Sequence, residues 1–204
     1  GAGGGVARAR TGGRHRGPGS RGRWGSSDHR IGLGHARLSI IDLHGGHQPL
    51  ASEDEQLRLV VNGEFYDFER IRSELEHRGY RFRTRSDSEI ALHLYEEVGV
   101  QCLTQLRGEF AFALWDAGNQ TLFAARDRFG IKPLFYAWHE GTLHFASEAK
   151  ALFAAGVPAR WDREGFYQVA SGFFSPDRTL FEGVFQVPPG HFVLATPQSF
   201  RLLK

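Results

Sequence analysis

Cysteine is nearly absent: Cys102 is the single one among 204 residues. An internal disulfide framework is thereby excluded, as is a cysteine-rich zinc site. Long apolar runs are missing too. No stretch approaches the ~18 consecutive apolar residues of a membrane span, which excludes an integral membrane protein. The N-terminus lacks the apolar core of a signal peptide, so a cytoplasmic location is the default expectation. Neither a Walker A glycine loop nor a GxGxxG segment is present. The ten histidines, of which His35, His44 and His47 are the closest group, show no metal-ligand spacing, and surface or structural roles are expected for them.

What is there fits an ordinary globular protein, 41% apolar and 24% charged. A chain of this length buries roughly 70% of its unfolded surface and needs no staples. Its charge is unevenly placed. The net value is +2, but residues 1–30 hold seven arginines against one acid, leaving −4 on the remainder. A basic arm thus precedes a mildly acidic body. The arm is rich in Gly and Arg and too poor in apolar residues to build a core, so it is expected to be mostly disordered if it stands alone. Its only aromatic is Trp24, and the body lacks a basic face, so no nucleic-acid partner is expected.

From Ile31 the texture changes. Ile31–Gly34 and Arg37–Leu43 are short apolar runs. Leu57–Asn62 is β-branched-rich and strand-like, ending at Asn62-Gly63, a turn signal. Phe68–Arg78 spaces Ile71 and Leu75 four apart before Gly79, which predicts an amphipathic helix. Ser86–Val98 predicts a second helix, opening on a serine cap with Glu89 at the capping-box position and closing at Gly99. Glu109–Asp116, with alternating Phe110, Phe112 and Leu114, pairs as a hairpin with Thr121–Arg126. Leu134–Trp138 and Thr142–Ser147 pair about Glu140-Gly141. Ala149–Ala155 and Asp162–Ala170 read as helices, and a final strand runs to Leu194. Strands with helices grouped around them point to an α+β fold with antiparallel pairing.

Some residues could recognise a small amino acid. A guanidinium clasps a carboxylate with two hydrogen bonds, and Arg37 follows a short strand. Carboxylates hold an ammonium, and an amide beside a glycine N–H stabilises an oxyanion; Asn62-Gly63-Glu64 closes the strongest strand, and Asp87 stands at a helix start. Singly each has a plainer reading: a surface ion pair for Arg37, a turn for Asn62-Gly63, a helix-dipole charge for Asp87.

Together they are more specific. Gly34–Leu43 with Gly46–Leu50, Val61-Asn62-Gly63-Glu64-Phe65-Tyr66, Arg85–Glu89, Arg107–Ala113, Ala125–Leu134 and Phe145–Leu152 occur in the order and spacing of a known family. His15-Arg16-Gly17-Pro18 and Pro188-Pro189-Gly190-His191 bracket them. From about residue 15 to the C-terminus the chain resembles the glutaminase domain, a class II glutamine amidotransferase, of glutamine-hydrolysing asparagine synthases. The resemblance implies an N-terminal-nucleophile hydrolase fold, a four-layer αββα sandwich of two antiparallel sheets. It implies hydrolysis of L-glutamine to glutamate and ammonia. Arg37 would hold the substrate carboxylate, Glu64 and Asp87 the α-ammonium, and the Asn62 side chain with the Gly63 N–H the oxyanion. The main chain near Leu38 and Ile40 would line the pocket. A C-terminal synthetase domain, with ATP and Mg, would use the ammonia to amidate aspartate. A homodimer is one assembly left open.

The sequence departs from the family at its start. The family's nucleophile is an N-terminal cysteine whose own amine serves as base; residue 1 here is Gly, and no Cys, Ser or Thr occupies position 1 or 2. Residues 1–14 are set apart as a basic arm, disordered or a mis-assigned start, and 15–204 as the amidotransferase domain. Cys102 has no adjacent His to activate it and is expected to be a buried structural thiol. The expectation is a glutaminase domain inactive as this chain, or alternatively a pseudo-glutaminase that binds glutamine as a regulatory module. No SGGxDS-type nucleotide loop occurs in the 204 residues, so no cofactor is expected on them.

Overall fold

The structure is a computed structural model that describes residues 7–10, 21–36, 47–173 and 175–204. Among these residues twelve strands form two six-stranded sheets. The first takes β1 (Ala7–Arg10), β2 (Arg21–Gly25), β3 (Ile31–Ala36), β8 (Phe135–His139), β9 (Thr142–Ala146) and β10 (Val184–Gln186), in the order β10-β8-β9-β1-β3-β2. The second takes β4 (Leu50–Ala51), β5 (Leu57–Phe65), β6 (Gly108–Asp116), β7 (Thr121–Arg126), β11 (Phe192–Thr196) and β12 (Ser199–Leu203), in the order β12-β11-β7-β6-β5-β4.

Side-chain alternation builds the layers. On β6, Phe110, Phe112 and Leu114 face one way and Ala111, Ala113 and Trp115 the other. The alanines meet Ile31 and Leu33 of β3 and Leu143 and Phe145 of β9, so the two sheets stack face to face with small residues between them. The phenylalanine face packs on α1 (Phe68–His77), α2 (Glu89–Val98) and α3 (Cys102–Gln105) through Ile71, Leu75, Ile90, Leu94 and Cys102. Behind the first sheet, Ala137 and Ala146 pack on α4 (Ala149–Phe153) through Ala151 and Leu152. The fold is α+β, with the sandwich sheets between helical layers. A short α5 (Arg163–Ala170) starts at Asp162, whose carboxylate accepts the Glu164 N–H at 3.0 Å.

The second sheet is antiparallel throughout. The first is antiparallel at its flanks and parallel where β1 lies between β9 and β3. The basic arm, expected to be mostly disordered if it stands alone, therefore supplies two strands, β1 over Ala7–Arg10 and β2 over Arg21–Gly25. Backbone ladders to β3 and β9 hold β1 on both edges.

Three local expectations shift. The strand predicted to end at Asn62 runs on to Phe65, because Gly63, at φ +129°, stays in register with Phe110 rather than turning the chain. The residue preceding α2 is Ser88, which makes no side-chain cap, and Glu89 sends its carboxylate to residues 83 and 84 instead of closing a capping box with Ser86. The final strand is followed by β12, which zips against β11 from Phe192↔Leu203 to Thr196↔Ser199. Among the described residues no helix is long and apolar enough to cross a membrane.

Candidate active site

β5 and β6 are paired in register from Leu57↔Asp116 to Phe65↔Gly108. On β5, Val60 points into the space between the sheets. Alternation places Asn62 and Glu64 on that same face, at the open end of the strand. Asn62 is half-buried and Glu64 exposed. Among the described residues neither the Asn62 amide nor the Glu64 carboxylate has a hydrogen-bond or ion-pair partner.

Gly63 lies between them with φ +129°, and a Cβ there would meet the Glu109 carbonyl oxygen at 1.9 Å. The approach is reciprocal. Gly108, φ +145°, would bring a Cβ to 2.2 Å from the Glu64 carbonyl oxygen. Two glycines thus pinch the strands together on either side of the Glu64↔Glu109 pair.

The other edge of β5 pairs with β4 only at Leu59 and Arg58. Beyond that its amides are taken by side chains. The Val61 N–H donates to the buried Gln48 Oε1 at 2.6 Å, and the Phe65 N–H donates to Asp87 Oδ2 at 2.6 Å. Strand alternation assigns the Gly63 N–H to that same edge, between the two. The loop before α2 is in this way tied to the end of β5 across 22 residues, and Asp87 comes to lie beside Glu64 and Gly63.

The site is acidic. Glu109 stands directly across from Glu64, an unfavourable juxtaposition of like charges. Lys132 relieves it from one side, its Nζ 3.4 Å from Glu109 Oε2. Tyr66 lies on the same group. Its phenol is pushed above its ordinary pKa, first by partial desolvation, then by the nearby carboxylates of Glu109, Glu64 and Asp127. Lys132 is delivered by a rigid loop. The fully buried Asp127 carboxylate accepts the N–H groups of Phe129, Ile131 and Lys132 at 2.9–3.0 Å. Arg126 spends its guanidinium on the carbonyls of Lys132, Gly130 and Val187.

Asn62, Gly63, Glu64 and Asp87 are therefore brought together. Arg37, Leu38 and Ile40 lie outside the described residues, as do His15-Arg16-Gly17-Pro18. Gln48, Glu109, Lys132 and Tyr66 had no role assigned from the sequence. All four sit in segments quoted for the resemblance, which was the available signal. Cys102 is elsewhere, completely buried in the helical layer, its thiol pushed up to about 12 by burial. A separate cleft lined by Trp115, Trp138 and Leu143 opens at the opposite end of β6 from Glu109.

A family profile described as "Glutamine amidotransferase domain" matches residues 5–202. The chain belongs to this family. The match begins ten residues ahead of the start expected from the HRGP segment. Among relatives, "Amidase chry2" of Gibberella zeae is 46% identical over 190 residues, covering 91% of this chain and 27% of the relative. "Asparagine synthetase [glutamine-hydrolyzing] 1" of Bacillus subtilis is 43% identical over 177 residues, 86% of this chain and 28% of the relative. The chain thus spans about a quarter of the length of the curated relatives it matches. The solved glutamine phosphoribosylpyrophosphate amidotransferase of B. subtilis superposes with a TM-score of 0.63 at 22% identity, over 85% of this chain and 34% of that one, and shares its fold. This glutamine amidotransferase domain is similar to the glutaminase portion of asparagine synthases, and its fold is that of the N-terminal-nucleophile amidotransferases.

Proposed function

We propose that this domain binds L-glutamine at the open end of β5 and serves as the glutaminase part of an asparagine synthase-type amidotransferase. Glu64 and Asp87 receive the α-ammonium, the Asn62 amide and the Gly63 N–H stabilise the oxyanion of the side-chain amide, and Arg37, with the main chain of Leu38 and Ile40, holds the carboxylate end. The observation that carries this reading is the Phe65 N–H···Asp87 bond, which draws a second acid to the strand end where Glu64 already stands. A cross-strand pair of carboxylates, of which only Glu109 is paired with a lysine, supports a cationic guest. Free amide donors beside it support an anionic centre a few ångströms away.

In that arrangement the protein's work is electrostatic. The acids fix one end of glutamine, and the Asn62 and Gly63 donors await the charge that develops on the amide oxygen as it turns tetrahedral. The nucleophilic thiol of the family has no counterpart at Cys102, which is sealed in the core and held protonated. These 204 residues are therefore expected to bind glutamine without turnover, which leaves binding alone, in a regulatory module, as the second reading. Among the described residues no group of acids, histidines or cysteines could hold a metal. ATP and Mg, like the amidation of aspartate, belong in this proposal to a synthetase domain, and no step here runs through them.

Titration calorimetry with L-glutamine tests the proposal. Binding should weaken about tenfold or more in Asp87→Asn, the worth of one charge-assisted hydrogen bond. Absence of any glutamine heat with the unaltered chain would overturn it. Glutamate release from glutamine by the same chain would overturn the expectation of no turnover.

A further inference from the structure

Glu89 is a carboxylate 2% exposed, two residues after Asp87 and without a role in the site. Burying such a group is costly unless every lone pair is used. At the start of α2 its natural partners would be the helix's own free amides. It turns away from them. Oε1 accepts the Arg83 N–H at 2.7 Å, and Oε2 accepts the Thr84 N–H at 2.8 Å and the Thr84 hydroxyl at 2.6 Å. His93, itself 3% exposed, backs it with Nε2 at 3.6 Å from Glu89 Oε1 while its Nδ1 lies 2.6 Å from Glu96 Oε2.

The contacts continue toward the site. Thr84 Oγ1 accepts the Ser86 N–H at 3.1 Å, and the Arg72 guanidinium holds the Thr84 carbonyl at 2.6 Å. Ser86 Oγ accepts the Ser88 N–H and donates to Asp87 Oδ1 at 3.4 Å. Asp87 then takes the Phe65 N–H. One relay of side chains runs from the buried helix start to the end of β5.

We propose that Glu89 is a positioning residue: by tying down residues 83 and 84 it sets the Asp87 carboxylate against Phe65 and beside Glu64, and thereby fixes the preference for ligands that carry an α-ammonium. The inference rests on the glutamine-binding reading above. Glu89 touches no ligand, and its effect passes wholly through the 83–87 loop.

Two measurements on the 204-residue chain test it. The first compares affinity for L-glutamine with affinity for 4-carbamoylbutanoate, the same molecule without its ammonium. Glu89→Gln should reduce the preference for glutamine about tenfold while leaving 4-carbamoylbutanoate binding within about twofold. Thr84→Ala, a gentler cut in the same relay, should shift it in the same direction by less and serves if Glu89→Gln fails to fold. Equal weakening of both ligands, or an unchanged preference, would show a merely structural role and overturn the proposal. The second needs no ligand: amide hydrogen exchange at Phe65 should accelerate about tenfold in either variant. If the unaltered chain does not distinguish the two ligands, the ammonium reading fails by itself. Phe65 exchange still decides Glu89, with unchanged protection overturning the relay and lost protection upholding it.

Discussion

A single buried carboxylate can organise a loop more firmly than any apolar contact, and Asp127 is the clearest case. Its three accepted N–H groups belong to Phe129, Ile131 and Lys132. Removing the acceptor leaves three donors to find water in a crowded turn, each worth about 1–3 kcal/mol when unsatisfied. Asp127→Ala should lower stability by about 3 kcal/mol or more in urea denaturation and release Lys132 from Glu109. Asp127→Asn keeps one oxygen and should cost less. His93 illustrates a different residue-scale effect. Burial alone would depress its pKa, but its contacts with Glu89 and Glu96 outweigh this and raise it to about 9. A folded value above the ordinary 6.5 means that the proton binds more tightly to the native state. Its stabilisation is complete below pH 6.5 and fades as pH rises toward 9. Glu89 works oppositely: burial would raise its pKa, but the nearby His93 imidazole and the hydrogen bonds from Thr84 and the Arg83 and Thr84 N–H groups lower it, so its contribution is lost as pH falls below about 4.5. Urea midpoints at pH 6, 7.5 and 9 should therefore decline in the unaltered protein, and decline less in His93→Gln.

At the scale of elements, the β5–β6 pair carries the most consequence. Nine register pairs join these strands, and the reciprocal glycines fall at the end that holds the site. Any side chain at Gly63 meets a carbonyl oxygen and an unfavourable φ together. Gly63→Ala should destabilise the domain by about 2–4 kcal/mol in thermal or urea unfolding, and amide exchange should show the opening concentrated at residues 62–65 and 108–110. The same substitution at Gly79, which follows α1 with nothing within 4 Å, meets only the conformational penalty of φ +97° and should cost less.

Over the whole molecule, the inter-sheet core and the two helical layers share the central strands. Phe123 is fully buried and packs against Tyr95, Phe112 and Phe192. Truncation to Ala should cost about 3–5 kcal/mol. Cys102 reports on the integrity of the helical layer. Fully buried, with its thiol pushed up to about 12, it should stay unreactive toward Ellman's reagent at pH 8 until denaturant unfolds the domain. Prompt modification in native buffer would show that α3 opens locally.

The sequence by itself determined the strands and helices that carry their own periodicity. The phenylalanine alternation of β6, the Ile71–Leu75 stripe of α1 and the Glu140-Gly141 hairpin turn were all legible, since each is a contact pattern written within a few neighbouring residues. The family motifs also named Asn62, Gly63, Glu64 and Asp87. Tertiary structure decided the rest, wherever a residue's partner lies far along the chain. Asn62-Gly63 read as a turn because nothing local reveals that the Glu109 carbonyl presses on Gly63. Ala7–Arg10 had no apolar payload to signal a strand, and its place in a sheet comes from ladders to β3 and β9. Glu89 looked like a capping-box acid, and only packing turns its carboxylate to the 83–84 amides. Backbone hydrogen bonding is indifferent to side-chain identity, so strand pairing and loop anchoring at these positions leave no trace in composition until the chain has folded.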